Sequence, residues 1–221
     1  SCSALQSVTI PDSVTSIGYA AFAYCSALQS VTIGDSVTSI GIQAFYQCSA
    51  LQTLTIPDSL TSIPRSAFES CSALQSVTFP DSLTVIGYAS FKNCSALQTL
   101  TMPDSLYEVD YFAFEGCNAL HSVRFGRASR IMQIFGGSFD YCTALETITI
   151  DNTNLSSMYA YERFPYLRTL IYTNNTQFLS TEDSWGHIDM PNLEKVVLGD
   201  IRVIPAEFLQ DVTNLTTIIF G

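Results

Sequence analysis

Residues 2–24 read CSALQSVTIPDSVTSIGYAAFAY, and residues 25–47 repeat the pattern as CSALQSVTIGDSVTSIGIQAFYQ. The motif returns along the chain, and its cysteine recurs five times at an interval of 23 residues and then once at 25. A disulfide framework does not require such regularity, whereas a tandem repeat does. The first leucine of each unit marks ten units, the last only a strand, at Leu5, Leu28, Leu51, Leu74, Leu97, Leu120, Leu145, Leu167, Leu193 and Leu215.

Each unit carries the signals of a strand, a turn and a returning segment. In the first unit Val8 and Ile10 alternate with polar residues, which is typical of a strand with one buried face. Pro11 cannot prolong that strand, and the side chains of the Asp12-Ser13 pair that follows are predicted to close a turn. A second apolar alternation, a glycine and a short Ala-Phe segment complete the unit.

A unit of this length cannot bury its own apolar face, so neighbouring units must stack and share one core. We therefore predict a right-handed repeat solenoid of the α/β type, with a parallel β-sheet on one face. Short strands, turns or single-turn helices are expected elsewhere. We expect one domain over residues 1–221, with regular units over 1–116 and irregular, insertion-bearing units over 117–221.

The recurring pattern Leu-x-x-Val-x-Ile-Pro-Asp-Ser-Val-x-x-Ile-Gly-x-x-Ala-Phe-x-x-Cys resembles the BspA-type leucine-rich repeats of bacterial and protist surface proteins. The likeness is close over residues 1–150 and looser beyond them. It implies a leucine-rich-repeat solenoid that serves as a binding or adhesion module at a cell surface or in a secreted protein. The resemblance also implies that such a module is often one part of a longer chain.

Composition excludes several classes of protein and partner. With 47 % hydrophobic and 13 % charged residues, the 221-residue chain lacks the signature of disorder. No apolar run approaches the ~18 residues of a membrane helix, so we expect no membrane insertion. A net charge of -11 and only two lysines, Lys92 and Lys195, argue against nucleic acid, because phosphate neutralisation needs clustered basic residues.

The cysteine column is predicted to be structural. The irregular units place Phe164, Met190 and Val212 at the same position, and only a buried apolar site accepts these residues. Stacked side chains point the same way, which suits disulfide geometry poorly, and an odd count leaves one thiol unpaired. We therefore expect all seven cysteines to be reduced and buried, with disulfides or a metal as the alternative.

A column of aspartates is the second candidate site. These carboxylates should stack ~5 Å apart, close enough to invite a cation. Calcium prefers six to eight oxygens around one point, whereas a straight ladder supplies few, so we predict solvated turn residues and no metal or other cofactor. The weak metal candidates are Asp12, Asp35, Asp58, Asp81 and Asp104.

Few residues of the chain are candidates for catalysis. The two histidines, His121 and His187, lie 66 residues apart, and neither belongs to a nucleophile elbow or a zinc-binding helix motif. No phosphate-binding glycine loop is present. We predict that the chain is not an enzyme, and a hydrolase acting through carboxylates of the C-terminal half is the weakest alternative.

The outward-facing strand columns carry the information about binding. Gln, Ser and Thr fill them monotonously in the first five units, which indicates a scaffold, and the columns change only from the sixth unit onward. The same half contains the insertions, around 127–137 and in a long eighth unit, where repeat proteins often bind. Decay of the repeat near its end is an equal alternative. The predicted ligand-binding residues are His121, Arg124, Arg168, Tyr172, Trp185 and Lys195.

We therefore predict a non-catalytic module that recognises an extracellular protein or glycan through its sheet face and C-terminal insertions. A purely structural spacer of a longer surface protein is the alternative. The first unit has the same apolar residues as interior units, and the last stops directly after a strand. We therefore also expect the sequence to be a fragment whose uncapped ends associate end to end.

Overall fold

A computed structural model describes residues 2–127, 133–151, 164–173, 190–199 and 212–221. Their regular elements are strands, which follow one another in the order β1 (Ser7–Ile10), β2 (Ser16–Ile17), β3 (Ser30–Ile33), β4 (Ser39–Ile40), β5 (Thr53–Thr55), β6 (Ser62–Ile63), β7 (Ser76–Thr78), β8 (Val85–Ile86), β9 (Thr99–Met102), β10 (Glu108–Val109), β11 (Ser122–Phe125), β12 (Gln133–Ile134), β13 (Thr147–Asp151), β14 (Thr169–Thr173), β15 (Lys195–Leu198) and β16 (Thr217–Phe220).

The strands form two parallel ladders, one for each strand of the repeat. The first strands of the ten units pair as β1-β3, as β5-β7 and as a six-stranded sheet in which β9, β11, β13, β14, β15 and β16 follow one another. Backbone hydrogen bonds from Gln52 to Gln29 and from Gln98 to Gln75 connect these three groups. The short second strands pair as β2-β4 and as β6-β8-β10-β12. The fold is therefore the predicted parallel β-solenoid.

Strand ends follow the predicted signals. Strand β1 ends immediately before Pro11, β3 before Gly34 and β11 before Gly126. Proline has no N–H to donate to a ladder, and glycine weakens a strand, so the ladder stops at these positions. The predicted alternation is also present, since Ser7 and Thr9 face solvent while Ile10 is buried.

One continuous core runs inside the stack from Ile10 to Leu198. Phenylalanines of consecutive units lie nearly parallel in it, with ring centroids 5.2–5.4 Å apart along Phe22, Phe45, Phe68, Phe91, Phe114 and Phe139. Stacking of identical residues one rung apart follows from the parallel register, because each residue of a unit lies beside its equivalent in the next.

Six cysteines are buried beside this stack and all seven are free, as predicted for a structural column. Each thiol from Cys48 to Cys142 donates to the carbonyl oxygen of a phenylalanine 26 or 28 residues before it, with distances of 3.2–3.4 Å. The prediction is wrong for Cys2, which is exposed. Each buried cysteine lies between two described units, whereas Cys2 belongs to the first described unit and has a described neighbour on one side only.

The described residues contain no helix, so the expected single-turn helices and the α/β description are not confirmed. In the segment after the second strand of each of the first six units, two residues four apart adopt the left-handed conformation, as Ala20 (φ 50°) and Tyr24 (φ 61°) do. Alternate N–H groups, such as those of Phe22 and Tyr24, donate to the next unit rather than within the segment. An α-helix needs both right-handed dihedrals and internal donors, so this segment forms a chain of turns instead.

In the first five units the turn after the first strand is closed by the backbone, as between the Val14 N–H and the Pro11 carbonyl (3.0 Å). The prediction that the Asp and Ser side chains close it is wrong, because these side chains connect neighbouring units. Asp12 Oδ1 accepts a hydrogen bond from the Asp35 N–H at 3.0 Å, and the Ser59 hydroxyl donates to the carbonyl of Val37. A Cβ at Gly34 would lie 2.6 Å from Asp12 Oδ1, so glycine makes room for that carboxylate.

Candidate functional site

The most distinctive part of the sheet face lies on strands β11 and β13–β15 and the residues just before them. In the column that holds glutamine in the first five units, consecutive units present His121, Glu146, Arg168 and Glu194, here named the charged row. Backbone hydrogen bonds join each member to the one before it, for example from the Arg168 N–H to the Glu146 carbonyl at 3.0 Å. The parallel register thus places residues that are more than 20 positions apart side by side.

Arg168 lies at the centre of the charged row and interacts with both carboxylate neighbours. Its Nη1 donates to Glu194 Oε1, and its Nε lies 3.9 Å from Glu146 Oε1. The three side chains keep 47–62 % of their surface exposed, so their pairing contributes little to stability and leaves their polar atoms accessible. The row can therefore present alternating charges to a partner.

Arg124 is held by a different arrangement two strands along the sheet. Its Nε donates to Asp151 Oδ2, and the Thr173 hydroxyl donates to Asp151 Oδ1. The Asp151 side chain is only 10 % exposed, whereas that of Arg124 is 60 % exposed. The buried carboxylate therefore orients an arginine whose remaining donors face solvent.

An apolar row, formed by Ile171, Val197 and Ile219, lies three residues further along the units than the charged row, and its members are not among the predicted ligand-binding residues. Thr149 pairs in register with Ile171, Ile171 with Val197, and Val197 with Ile219. Ile171 and Val197 are partly exposed and Ile219 is 42 % exposed, so the column that holds threonine in the regular units becomes hydrophobic here. The signal was already in the sequence, since the period-two pattern assigns these residues to the outward face.

The predicted ligand-binding residues have different locations in the structure. His121, Arg124 and Arg168 are exposed and Lys195 is partly exposed on the sheet face, whereas Trp185 lies outside the described residues. The inclusion of Tyr172 is wrong, because this residue is 2 % exposed and belongs to the core. It occupies the inward column between Ile150 and Leu198, the same column as Ile10 in the first unit. Ligand binding by the other five residues stays a prediction.

The candidate metal and catalytic groups are dispersed. Asp12, Asp35, Asp58, Asp81 and Asp104 are all exposed, and two of them accept backbone hydrogen bonds from the next unit. Within the described ranges no group of three His, Cys, Asp or Glu side chains is placed to hold a metal ion. No helix in those ranges is long and apolar enough to cross a bilayer. His187 lies outside them.

Comparisons with known proteins agree with this architecture. The profile of the BspA type leucine rich repeat region matches six copies, over residues 1–88 and 61–183. A search of curated proteins finds no match. A crystal structure of a leucine rich repeat protein from T. pallidum is 30 % identical, with a TM-score of 0.61, and the alignment covers 66 % of this chain and 72 % of that one.

A second solved structure shares the fold at lower identity. It is a leucine-rich repeat protein from Bacteroides ovatus, 24 % identical with a TM-score of 0.51. The alignment covers 97 % of this chain but 63 % of that protein, so the chain spans less than two thirds of its length. The repeat pattern, the two parallel ladders and the profile match together show that the chain belongs to the BspA type leucine-rich repeat family.

Proposed function

We propose that the chain is a non-catalytic recognition module, located at a cell surface or secreted, that binds an extracellular protein or glycan. The observation that carries this proposal is the change of the sheet face between its two halves. Over the first five units that face presents Gln, Ser and Thr, and over strands β11 and β13–β16 it presents the charged row and the apolar row. Membership of a family of surface proteins supports the proposed location.

On this face a protein partner suits the chemistry better than a glycan. Protein interfaces combine a hydrophobic centre with a polar or charged rim. In the same two units the paired Ile171 and Val197 follow the ion pair of Arg168 and Glu194 by three residues, so the sheet face offers both kinds of surface. Arg168 and Arg124 are of a residue type that often supplies a large part of the binding energy. Because their flanking carboxylates belong to this chain, a partner must offer both charge signs to satisfy the row.

A purely structural spacer is the second candidate function. It is favoured by the first five units, whose sheet face is an uninterrupted polar ladder without an exposed anchor. A spacer and a recognition module differ in one measurable respect, because a spacer has no face at which a single exposed substitution changes binding.

The proposal is tested by binding of the 221-residue chain to a panel of purified extracellular matrix proteins and an array of glycans. Replacement of Arg168 by Ala should weaken binding to the recognised partner about tenfold, the loss of one anchor. Thr55→Ala is the matched control, since Thr55 is also exposed on the sheet face. Absence of binding to every member of the panel would favour the spacer, whereas equal loss from Thr55→Ala would place the binding site on the regular half of the sheet face.

A further inference from the structure

The second ladder carries a feature unrelated to the sheet face. The second strand and the turn after it read TSIGYA in the first unit and TSIGIQ in the second, whereas residues 107–112 of the fifth unit read YEVDYF. Glu108 replaces a serine, Asp110 replaces a glycine and Phe112 replaces a small or polar residue. These changes coincide in one unit that the sequence pattern assigned to the regular part of the chain.

The aromatic residues of this segment form a cluster with those of neighbouring units. The ring centroids of Tyr111 and Phe135 are 4.9 Å apart at an interplanar angle of 33°, and those of Tyr88 and Phe112 are 5.7 Å apart. Tyr111 is 46 % exposed and Phe135 is partly exposed. We name Tyr88, Tyr111, Phe112 and Phe135 the aromatic cluster.

The backbone adopts an unfavourable conformation at one member of the aromatic cluster. Phe112 has a φ of 60°, a left-handed conformation that is unfavourable for a bulky residue. A Cβ at Gly137 would lie 2.6 Å from Phe112 Cε1, so the ring occupies space that a side chain would fill in the next unit. Around Gly136 a Cβ would meet nothing within 4 Å. The equivalent residues of the first four units share this conformation but carry no aromatic ring, namely Ala20, Gln43, Ser66 and Ala89. A bulky ring kept at a position that disfavours it points to a function.

Polar side chains border the same cluster. Asp110 Oδ1 accepts a hydrogen bond from the Tyr111 N–H at 2.7 Å, and the described residues leave its Oδ2 without a partner. Glu108 and Gln133 are register partners in β10 and β12, and both are partly exposed. Two carboxylates and an amide therefore lie on the strands and turns that carry the exposed rings of Tyr111 and Phe135.

We propose that Tyr111, Phe135, Glu108, Asp110 and Gln133 form a binding site for a neutral polysaccharide. A sugar ring has an apolar C–H face that packs on an aromatic ring and a rim of hydroxyl groups that donate to carboxylates and bond to amides. The net charge of -11 disfavours an acidic polysaccharide. This site goes beyond the proposed recognition by the sheet face, because it uses the other ladder.

A cationic ligand is the other class that aromatic rings bind, and the observations favour it less. Arg65 already lies over the Tyr88 ring at 4.7 Å from its centroid, and Lys92 lies 5.6 Å from that of Phe112. The chain's own cations therefore use those two rings. The rings of Tyr111 and Phe135 pack against each other at a tilt, so the exposed surface of Tyr111 offers a single platform rather than a cage around one point.

The test is affinity electrophoresis of the full 221-residue chain in native gels that contain amylopectin, β-glucan, galactomannan, xylan or dextran. At least one polysaccharide should retard the chain, and Tyr111→Ala should weaken that interaction about tenfold. Asp110→Asn, which keeps the size of the side chain, should weaken it as well. Tyr19→Ala is the matched control, because Tyr19 occupies the same column four units away and is 71 % exposed.

Several outcomes would overturn the proposal. One is migration unaffected by all five polysaccharides. Another is a Tyr111→Ala variant that is retarded as strongly as the unaltered chain, with an unchanged melting temperature showing that both are folded. Displacement of the polysaccharide by choline chloride would assign the platform to a cation instead. Loss of retardation in Arg168→Ala but not in Tyr111→Ala would place the polysaccharide on the sheet face and leave the proposed function intact.

Discussion

One hydroxyl group in the turn segment illustrates how closely the interior of each unit is determined. Ala44, Ala67 and Ala113 occupy equivalent buried positions, whereas the fourth unit has Ser90 there, also 0 % exposed. Its Oγ has no hydrogen-bond partner among the described residues. Removal of a hydroxyl group from water costs free energy, and a hydroxyl that is buried without a partner forms no hydrogen bond to offset that cost.

We predict that Ser90→Ala raises the free energy of unfolding by about 1 kcal/mol. Urea denaturation measures the change. Ser138→Ala is the matched control, because the Ser138 hydroxyl donates to the Asp110 carbonyl at 3.0 Å and its removal should bring no gain. A lower stability for Ser90→Ala than for the unaltered chain would contradict the account of this position.

The buried thiols predict a loss of stability at alkaline pH. Burial raises the pKa of Cys48 from 9.0 to about 12, and it also raises the pKa of Cys71, Cys94 and Cys117. Above pH 9 the unfolded chain releases protons that the folded chain retains, so the stability present below pH 9 falls as the pH rises.

Each such thiol contributes a slope of up to about 1.4 kcal/mol per pH unit above pH 9. Denaturation between pH 8 and pH 11 should therefore show a shallower decline for Cys71→Ala than for the unaltered chain. The slope is the readout, because the cavity left by the substitution lowers stability at every pH. Identical slopes would show that Cys71 ionises as readily in the folded state as in the unfolded one.

At the scale of the element, the strands were predictable and the turn segment was not. Alternation and a following Pro or Gly announce where a first strand lies and ends, as at Ile10 and Pro11. The left-handed residues Ala20 and Tyr24 are not glycines and give no local sign of their conformation. Their conformation depends on hydrogen bonds to the next unit, so the sequence of a single unit does not predict it.

Gly137 and Gly136 form a matched pair for testing this segment. Gly137 has a φ of 77° and its missing Cβ would meet the Phe112 ring, whereas around Gly136 there is open space. We predict that Gly137→Ala lowers the free energy of unfolding by about 1–2 kcal/mol or more, and that Gly136→Ala changes it by less than about half of that. Thermal or urea denaturation measures both, and equal effects would argue against the packing described for Phe112.

At the scale of the whole molecule, the scaffold was easier to predict than the site. The repeat alone indicates the solenoid, and departure from the repeat indicates Arg124 and Arg168, which the structure confirms as exposed on the sheet face. Tyr172 was wrongly predicted to bind a ligand, although alignment of the repeats already assigns it to the same inward column as Ile10. The ion pair of Arg124 and Asp151 joins two different units. Its formation depends on the rotamers of both side chains, so the sequence pattern does not predict it.

The exposed strand β16 bears on association of the chain. Among the described residues it pairs only with β15, and Ile218 and Phe220 are 42 % and 65 % exposed although they lie beside the buried Val196 and Leu198. An apolar strand with a free edge tends to pair with another chain. We propose that copies of the 221-residue chain associate end to end, so that the sedimentation coefficient rises with concentration and Phe220→Lys reduces the rise. A coefficient that stays constant would contradict this.

Recognition through the C-terminal half of the sheet face is the central claim, and chemical footprinting of basic side chains tests it most directly. Arginine and lysine modification of the full chain, alone and saturated with the matrix protein that binds it, is quantified by mass spectrometry. We predict that bound protein protects Arg168, Arg124 and Lys195, while Arg65 and Lys92 in the turn segments after the second strands react as before. Protection of Arg65 and Lys92 with Arg168 unchanged would contradict the account.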